Sequence, residues 1–166
     1  MDIWFLPFEI SACFTSFNKA AQRNQSLGDK RLETICMTAN QTGLNLADPR
    51  TTIEGLPASG NLYIEGHGQP GSDMAFEKIG DWCPTAITGP KNEFMDAYRL
   101  ARTLKRFGFK GAHIFLHICY SAEANSFGHH FVDAMKAYGV PFKSMEGRHG
   151  EAQESDGIAG NFYKCA

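Results

Sequence analysis

The chain has 166 residues, 43% of them hydrophobic and 20% charged, with thirteen phenylalanines; this is a globular composition, far from the low-hydrophobicity, high-charge signature of disorder. That length suits one compact domain with a sizeable core, so residues 1–166 are expected to fold as a single domain. A net charge of -2 with no long basic run offers no footprint for phosphates, and nucleic acid is excluded as an expected partner.

The first segment, "MDIWFLPFEI", is apolar, but Asp2 replaces a basic leader and Pro7 and Glu9 interrupt it. Neither a signal peptide nor a membrane span is expected, and no membrane partner. From Asp2 to Phe14 the aromatic and branched residues predict a strand, breakable at Pro7 because proline cannot donate to a ladder. "SFNKAAQRNQ" and "DKRLETICMTAN" are weakly amphipathic, and both are expected to be helical. Residues 44–60 carry Pro49, Gly55, Pro57 and Gly60 and predict mostly loop, with a short strand near Thr51 to Glu54.

"NLYIE" predicts a buried strand that ends at Gly66-His67-Gly68. Between Gly68 and Pro90 lies the longest irregular segment, with Met74 to Phe76 as a small strand; long loops in compact domains tend to carry function. "KNEFMDAYRLARTLKRFG" predicts a helix: Phe94, Ala97, Tyr98, Ala101 and Leu104 recur at three and four, Asn92 can cap it, and Gly108 stops it. "AHIFLHIC" is a continuous apolar run, the pattern of a strand covered on both faces. "YSAEANSFGHHFVDAMKAYG" predicts a helix directly after it, capped by Ser121, with Phe127, Phe131, Ala134 and Tyr138 inward and Gly139 as the stop. "VPFKSM" predicts one more strand before a glycine-rich, polar tail.

Strands alternating with helices predict an α/β fold with a mostly parallel sheet, whose sites lie beyond the carboxyl ends of the strands. His67 and Cys119 each fall at such an end. A cysteine at a strand-to-helix turn projects above the sheet, and the helix amino terminus favours its thiolate. A histidine within reach serves as base and then as acid toward the leaving amine. Gly66 and Gly68 let a substrate backbone approach and leave N–H groups open to an oxyanion. Cys13, Cys36, Cys83 and Cys165 lack this context and are expected to be structural. Five cysteines without a C-x-x-C pair point to a reducing, cytoplasmic compartment.

"YIEGHG", then a loop and a helix, then "IFLHICYSAE", with Cys119 standing 52 positions after His67, resembles the caspase-like (clan CD) cysteine peptidases. These include caspases, legumain, gingipains, separase and the autoprocessing protease domains of large bacterial toxins, and the last are the most similar in layout. "GVPFKSMEGRHG" resembles the strand that follows the cysteine helix and helps wall the S1 pocket. The resemblance spans roughly residues 61–150 and implies a three-layer α/β/α caspase-like fold with a mostly parallel central sheet. It implies a cysteine endopeptidase acting on a protein or peptide, autoprocessing or delivered as an effector, with Cys119 as nucleophile and His67 as general acid/base. The N–H groups of Gly68 and Cys119 would form the oxyanion hole, and Ser144, Glu146 and Arg148 would contact substrate. Glu146 and Asp156 would favour a basic P1 residue and Arg148 an acidic one; the sequence does not choose. No cofactor is implied. Where the family carries a small residue before the cysteine, this chain has Ile118.

Two other readings use the same residues. A catalytically silent caspase-like domain would serve protein interaction. His113, His117 and Cys119 share one strand face by parity, with His129 and His130 nearby, which permits a zinc site, although six-residue strand spacing is not a familiar zinc pattern and no metal is expected.

Overall fold

The computed structural model describes residues 2–7, 32–36, 47–76, 94–151 and 161–165. Among the described residues its main sheet has six strands, in the order β2 (Leu32–Cys36), β1 (Asp2–Leu6), β3 (Asn61–Glu65), β6 (His113–His117), β7 (Met145–Gly147) and β8 (Tyr163–Lys164). Strand β1 (Asp2–Leu6) stops just before Pro7, as a residue without an N–H requires, and Ile3, Trp4 and Phe5 are fully buried. It pairs in parallel with β2 (Leu32–Cys36) on one side and β3 (Asn61–Glu65) on the other. Next to β3 lies β6 (His113–His117), again parallel. β7 (Met145–Gly147) continues the parallel run, and β8 (Tyr163–Lys164) closes the edge in the antiparallel sense. The chain is therefore α/β, with five parallel strands and an antiparallel edge.

Register explains the core. Phe5 aligns with Ile35 and Ile64, and Ile64 with Leu116, so one row of large apolar side chains crosses four strands on a single face; all four are fully buried. The opposite face carries Trp4, Tyr63 and Phe115. Their rings are stacked in sequence, with centroids 6.2 Å and 5.0 Å apart, and Phe162 stands edge-on to Phe115 at 5.2 Å. Such cross-strand aromatic neighbours are a unit of sheet stabilisation.

Several elements differ from expectation. Within "DKRLETICMTAN" the chain forms strand β2 where a helix was expected; pairing with β1 and complete burial of Ile35 outweigh a weak helical pattern. Residues 16–25 lie outside the described residues. Helix α1 (Pro49–Gly55) replaces the loop and short strand expected at 44–60. Asp48 Oδ2 accepts from Thr51 N–H at 2.8 Å, and Pro49 occupies the first turn, where no N–H is needed. Strand β4 (Met74–Phe76) forms as expected, but its antiparallel partner β5 (Phe94–Asp96) takes residues assigned to the following helix. Helix α2 (Ala97–Arg106) accordingly begins later, capped by Asp96, which accepts from Arg99 N–H at 2.7 Å; Asn92, expected as the cap, lies outside the described residues. Ala97, Leu100, Ala101 and Leu104 are buried, whereas Tyr98 is 46% exposed and is not core.

Helix α3 (Phe127–Ala137) buries Phe127, Phe131, Val132, Ala134 and Met135. It packs on α2 and touches β7, and the phenol of Tyr138 meets that of Tyr98 edge-on. The strand expected at "VPFKSM" starts only at Met145, and the tail supplies β8, which was not expected. Among the described residues no helix is long and apolar enough to cross a membrane.

Candidate functional site at the carboxyl edge of the sheet

β3 and β6 are neighbours and run in the same direction, so the segments that leave them start side by side. Glu65 is the register partner of His117. The ladder continues beyond it, with Gly66 N–H donating to the carbonyl of His117 at 3.4 Å. Two residues on, Gly68 presses against the backbone of Cys119: a Cβ at this position would overlap the Cys119 carbonyl oxygen and lie 2.6 Å from Ile118 Cγ2. No other residue type leaves room for that approach. The two glycine-flanked and cysteine-bearing segments are thus in direct contact, at the edge where α/β sheets hold their sites. His67 is half-buried, and Cys119 is buried at 8% exposure.

The chain after Cys119 does not enter a helix at once. Tyr120 has φ 59° and Asn125 φ 57°, left-handed conformations incompatible with a right-handed helix and uncommon for a bulky residue such as tyrosine. Residues 118–126 form a series of turns instead, and α3 begins at Phe127 with Ser126 as its N-cap. This corrects two expectations: Ser121 is not the cap, and Cys119 does not sit on a helix amino terminus. Ser121 has another task. Its buried hydroxyl donates to the Ile118 carbonyl at 2.7 Å and accepts from Arg148 N–H at 3.0 Å.

That bond belongs to a seam between the turns after β6 and the segment after β7. Ala122 N–H donates to the Arg148 carbonyl at 3.0 Å, Tyr120 N–H to the Gly150 carbonyl at 2.7 Å, and Gly150 N–H to Glu123 Oε1 at 3.0 Å. From the other side, Gly71 N–H donates to Ser126 Oγ at 3.0 Å, tying the loop after His67 to the same turns. Partial burial pushes the Tyr120 phenol above its ordinary range, and the carboxylates of Glu151 and Glu123 act in the same direction.

Of the three residues expected to contact substrate, Arg148 is brought to this edge. It is 5% exposed, its guanidinium lies 3.8 Å over the Phe162 ring, and Nη1 donates to the Asn161 carbonyl at 2.8 Å. Glu146 lies within β7, aligned with Phe115 and Lys164. Ser144 is not brought to the site. It precedes β7 at the opposite end of the sheet, where its hydroxyl meets His113 Nδ1 at 2.8 Å and its carbonyl accepts from Ile114 N–H. Asp156 lies outside the described residues.

The histidines of the zinc reading are dispersed among separate partners. His113 meets Ser144, His117 meets Glu65 and His130 Nε2 meets the Asn125 carbonyl. Among the described residues no group of three or more His, Cys, Asp or Glu side chains is placed to hold a metal ion. Cys165 packs beneath Ser121, its sulfur 3.7 Å from the Ser121 carbonyl, and burial pushes its thiol up to about 12. It is structural, as expected. Cys13 and Cys83 lie outside the described residues.

Sequence reasoning passed over Glu65 and Tyr120. Glu65 stands two residues before His67, as His117 stands two before Cys119, and that matched spacing on neighbouring strands was the available signal. For Tyr120 no sequence pattern signals a left-handed tyrosine. Compared with known proteins, the chain matches no family model and no curated protein.

Proposed function

We propose that this protein is a cysteine endopeptidase with a three-layer, caspase-like fold and that residues 1–166 act as one peptidase domain. The single observation that carries the reading is the contact of Gly68 with the Cys119 backbone, which sets the His67 and Cys119 segments side by side at the carboxyl edge of a parallel sheet. In this reading His67 takes the proton from Cys119 Sγ, and the thiolate attacks the scissile carbonyl carbon. The carbonyl π pair moves onto oxygen, and that oxyanion accepts from the N–H groups of Gly68 and Cys119. The His67 imidazolium then protonates the departing amine, leaving a thioester on Cys119. Water, deprotonated by His67, hydrolyses it and restores the thiol.

The test is a peptide-library profile of the wild-type chain beside Cys119→Ala and His67→Ala. Cleavage by the wild type and its loss in both variants, with unchanged circular dichroism, is the expected result; cleavage surviving Cys119→Ala overturns the proposal. One observation favours the silent, protein-interaction reading: Cys119 retains only 8% exposure behind a fully buried Ile118. A thiol titration separates the two, because a nucleophile requires a depressed thiol pKa and a silent core cysteine an ordinary or raised one.

A further inference from the structure

Directly beneath the two candidate catalytic residues lies a polar pair that the proposed reaction does not use. His117 Nδ1 and Glu65 Oε2 are 3.0 Å apart, between neighbouring strands, with side-chain exposures of 2% and 15%. The hydrogen bond between Nδ1 and Oε2 holds the imidazole in one orientation. Nε2 of His117 is buried and has no hydrogen-bond partner among the described residues. The Trp4 ring leans on the imidazole with centroids 5.7 Å apart and limits its rotation. Replacing such a pair with apolar side chains often leaves stability unchanged, whereas its geometry is specific.

The geometry concerns register. β3 and β6 are apolar through their centres, where Leu62 meets Ile114 and Ile64 meets Leu116, and interchangeable aliphatic side chains specify alignment only loosely. A slip by one residue would turn every side chain to the other face and is opposed by burial, but a slip by two keeps the faces, and there aliphatic pairs discriminate little. Glu65 and His117 occupy the last register pair, immediately before Gly66 N–H makes its long 3.4 Å bond to the His117 carbonyl. Two residues further on come His67 and Cys119. The side-chain bond therefore closes the sheet at the point where backbone pairing weakens and where the alignment of the two segments matters most.

We propose that Glu65 and His117 are positioning residues for His67 and Cys119: their hydrogen bond locks the ends of β3 and β6 in register and thereby sets the relative placement of nucleophile and base. This rests on the peptidase reading. A placement error of about 1 Å costs on the order of a hundredfold in rate, so a lock of this kind acts on kcat more than on KM.

The experiment uses the full chain with Glu65→Gln, which keeps a hydrogen-bonding group for Nδ1, and Glu65→Leu, which removes it; His117→Asn and His117→Leu make the same comparison from β6. Two quantities are read: kcat and KM on a peptide chosen from the library, and the rate of iodoacetamide alkylation of Cys119 at neutral pH, followed by mass spectrometry. The leucine variants are expected to lower kcat at least about tenfold with KM within about twofold, and to change the alkylation rate at least about threefold, while Glu65→Gln and His117→Asn stay within about twofold of wild type. Leucine variants indistinguishable from wild type in both quantities overturn the proposal, as does a Glu65→Gln variant as impaired as Glu65→Leu. If Glu65→Leu fails to fold, the His117 pair decides. Absence of cleavage by the wild type would end the peptidase reading alone, because the alkylation rate reports the placement of Cys119 without any substrate.

Discussion

Adding one methyl group at position 68 drives it into the Cys119 carbonyl and to 2.6 Å from Ile118 Cγ2. The obstacle is backbone, two residues beyond the end of β6, and cannot swing aside as a flexible side chain would. Gly68→Ala is therefore expected to lower stability by about 1–3 kcal/mol, the range for overpacking. It should also remove peptide cleavage, because the segment carrying His67 must retreat from Cys119. Thermal unfolding and kcat/KM measured on one preparation check this. A variant with wild-type Tm and wild-type kcat/KM would show that the contact constrains neither. Tyr120 belongs at the same scale. Its left-handed φ of 59° is a conformation that tyrosine holds only when its surroundings dictate it, here through the bonds from Tyr120 and Ala122 to Gly150 and Arg148. In the sequence the glycines around His67 signal room for a substrate backbone, whereas at Gly68 the close neighbour is the Cys119 backbone itself; the strained tyrosine was not legible, because backbone conformation at one residue is imposed by partners distant in the chain.

Among the elements, α1 shows how a short signal can be hidden by louder ones. Pro49, Gly55 and Pro57 read as loop, yet an Asp-Pro pair is also a helix start, with the aspartate as cap and the proline in the first turn. Asp48→Ala is expected to cost about 1 kcal/mol of stability, measured by denaturant unfolding. The cap also has a pH signature. The hydrogen bond from Thr51 N–H, with that from the Thr51 side chain, holds the Asp48 carboxyl below its ordinary value of 3.8. A depressed carboxyl contributes stability above the unfolded-state value and loses it as pH falls through the folded-state value. Below about pH 4 the wild type should therefore lose the advantage it holds over Asp48→Ala, while Asp48→Asn caps without this acid dependence; Tm recorded from pH 3 to pH 7 tests it, and parallel curves for all three would contradict it. Because Asp48 is exposed, the effect is small and weakens with salt. β2 and β5 illustrate the opposite error, apolar spacing that fits a helix on paper while an available neighbouring strand claims the segment.

Across the whole molecule, the far end of the chain returns to support the candidate site. β8 pairs with β7, Cys165 lies beneath Ser121, and Phe162 stacks on the Arg148 guanidinium. Burial, with the charge of Glu146, pushes the Cys165 thiol up to about 12 against an ordinary 9.0. A thiol raised in this way stabilises the fold fully below pH 9.0, and that contribution is lost as pH rises toward 12. Native protein treated with iodoacetamide below pH 9.0 should accordingly leave Cys165 unmodified, and unfolded protein should not; rapid native labelling of Cys165 would mean that β8 detaches.

The sequence by itself determined the α/β class, the strands at Asn61–Glu65 and His113–His117, and most of the apolar faces of α2 and α3. These rest on contiguous apolar runs and helical periodicity, which are properties of neighbouring residues. Only the tertiary structure decided that residues 32–36 join the sheet, that α3 starts at Phe127 and leaves Cys119 in a turn, that Ser144 faces the opposite end from Cys119, and that Glu65 meets His117 across two strands. Each of those outcomes depends on contacts between segments distant in the chain, where burial and hydrogen-bond satisfaction outweigh the few tenths of a kilocalorie that local propensity contributes per residue.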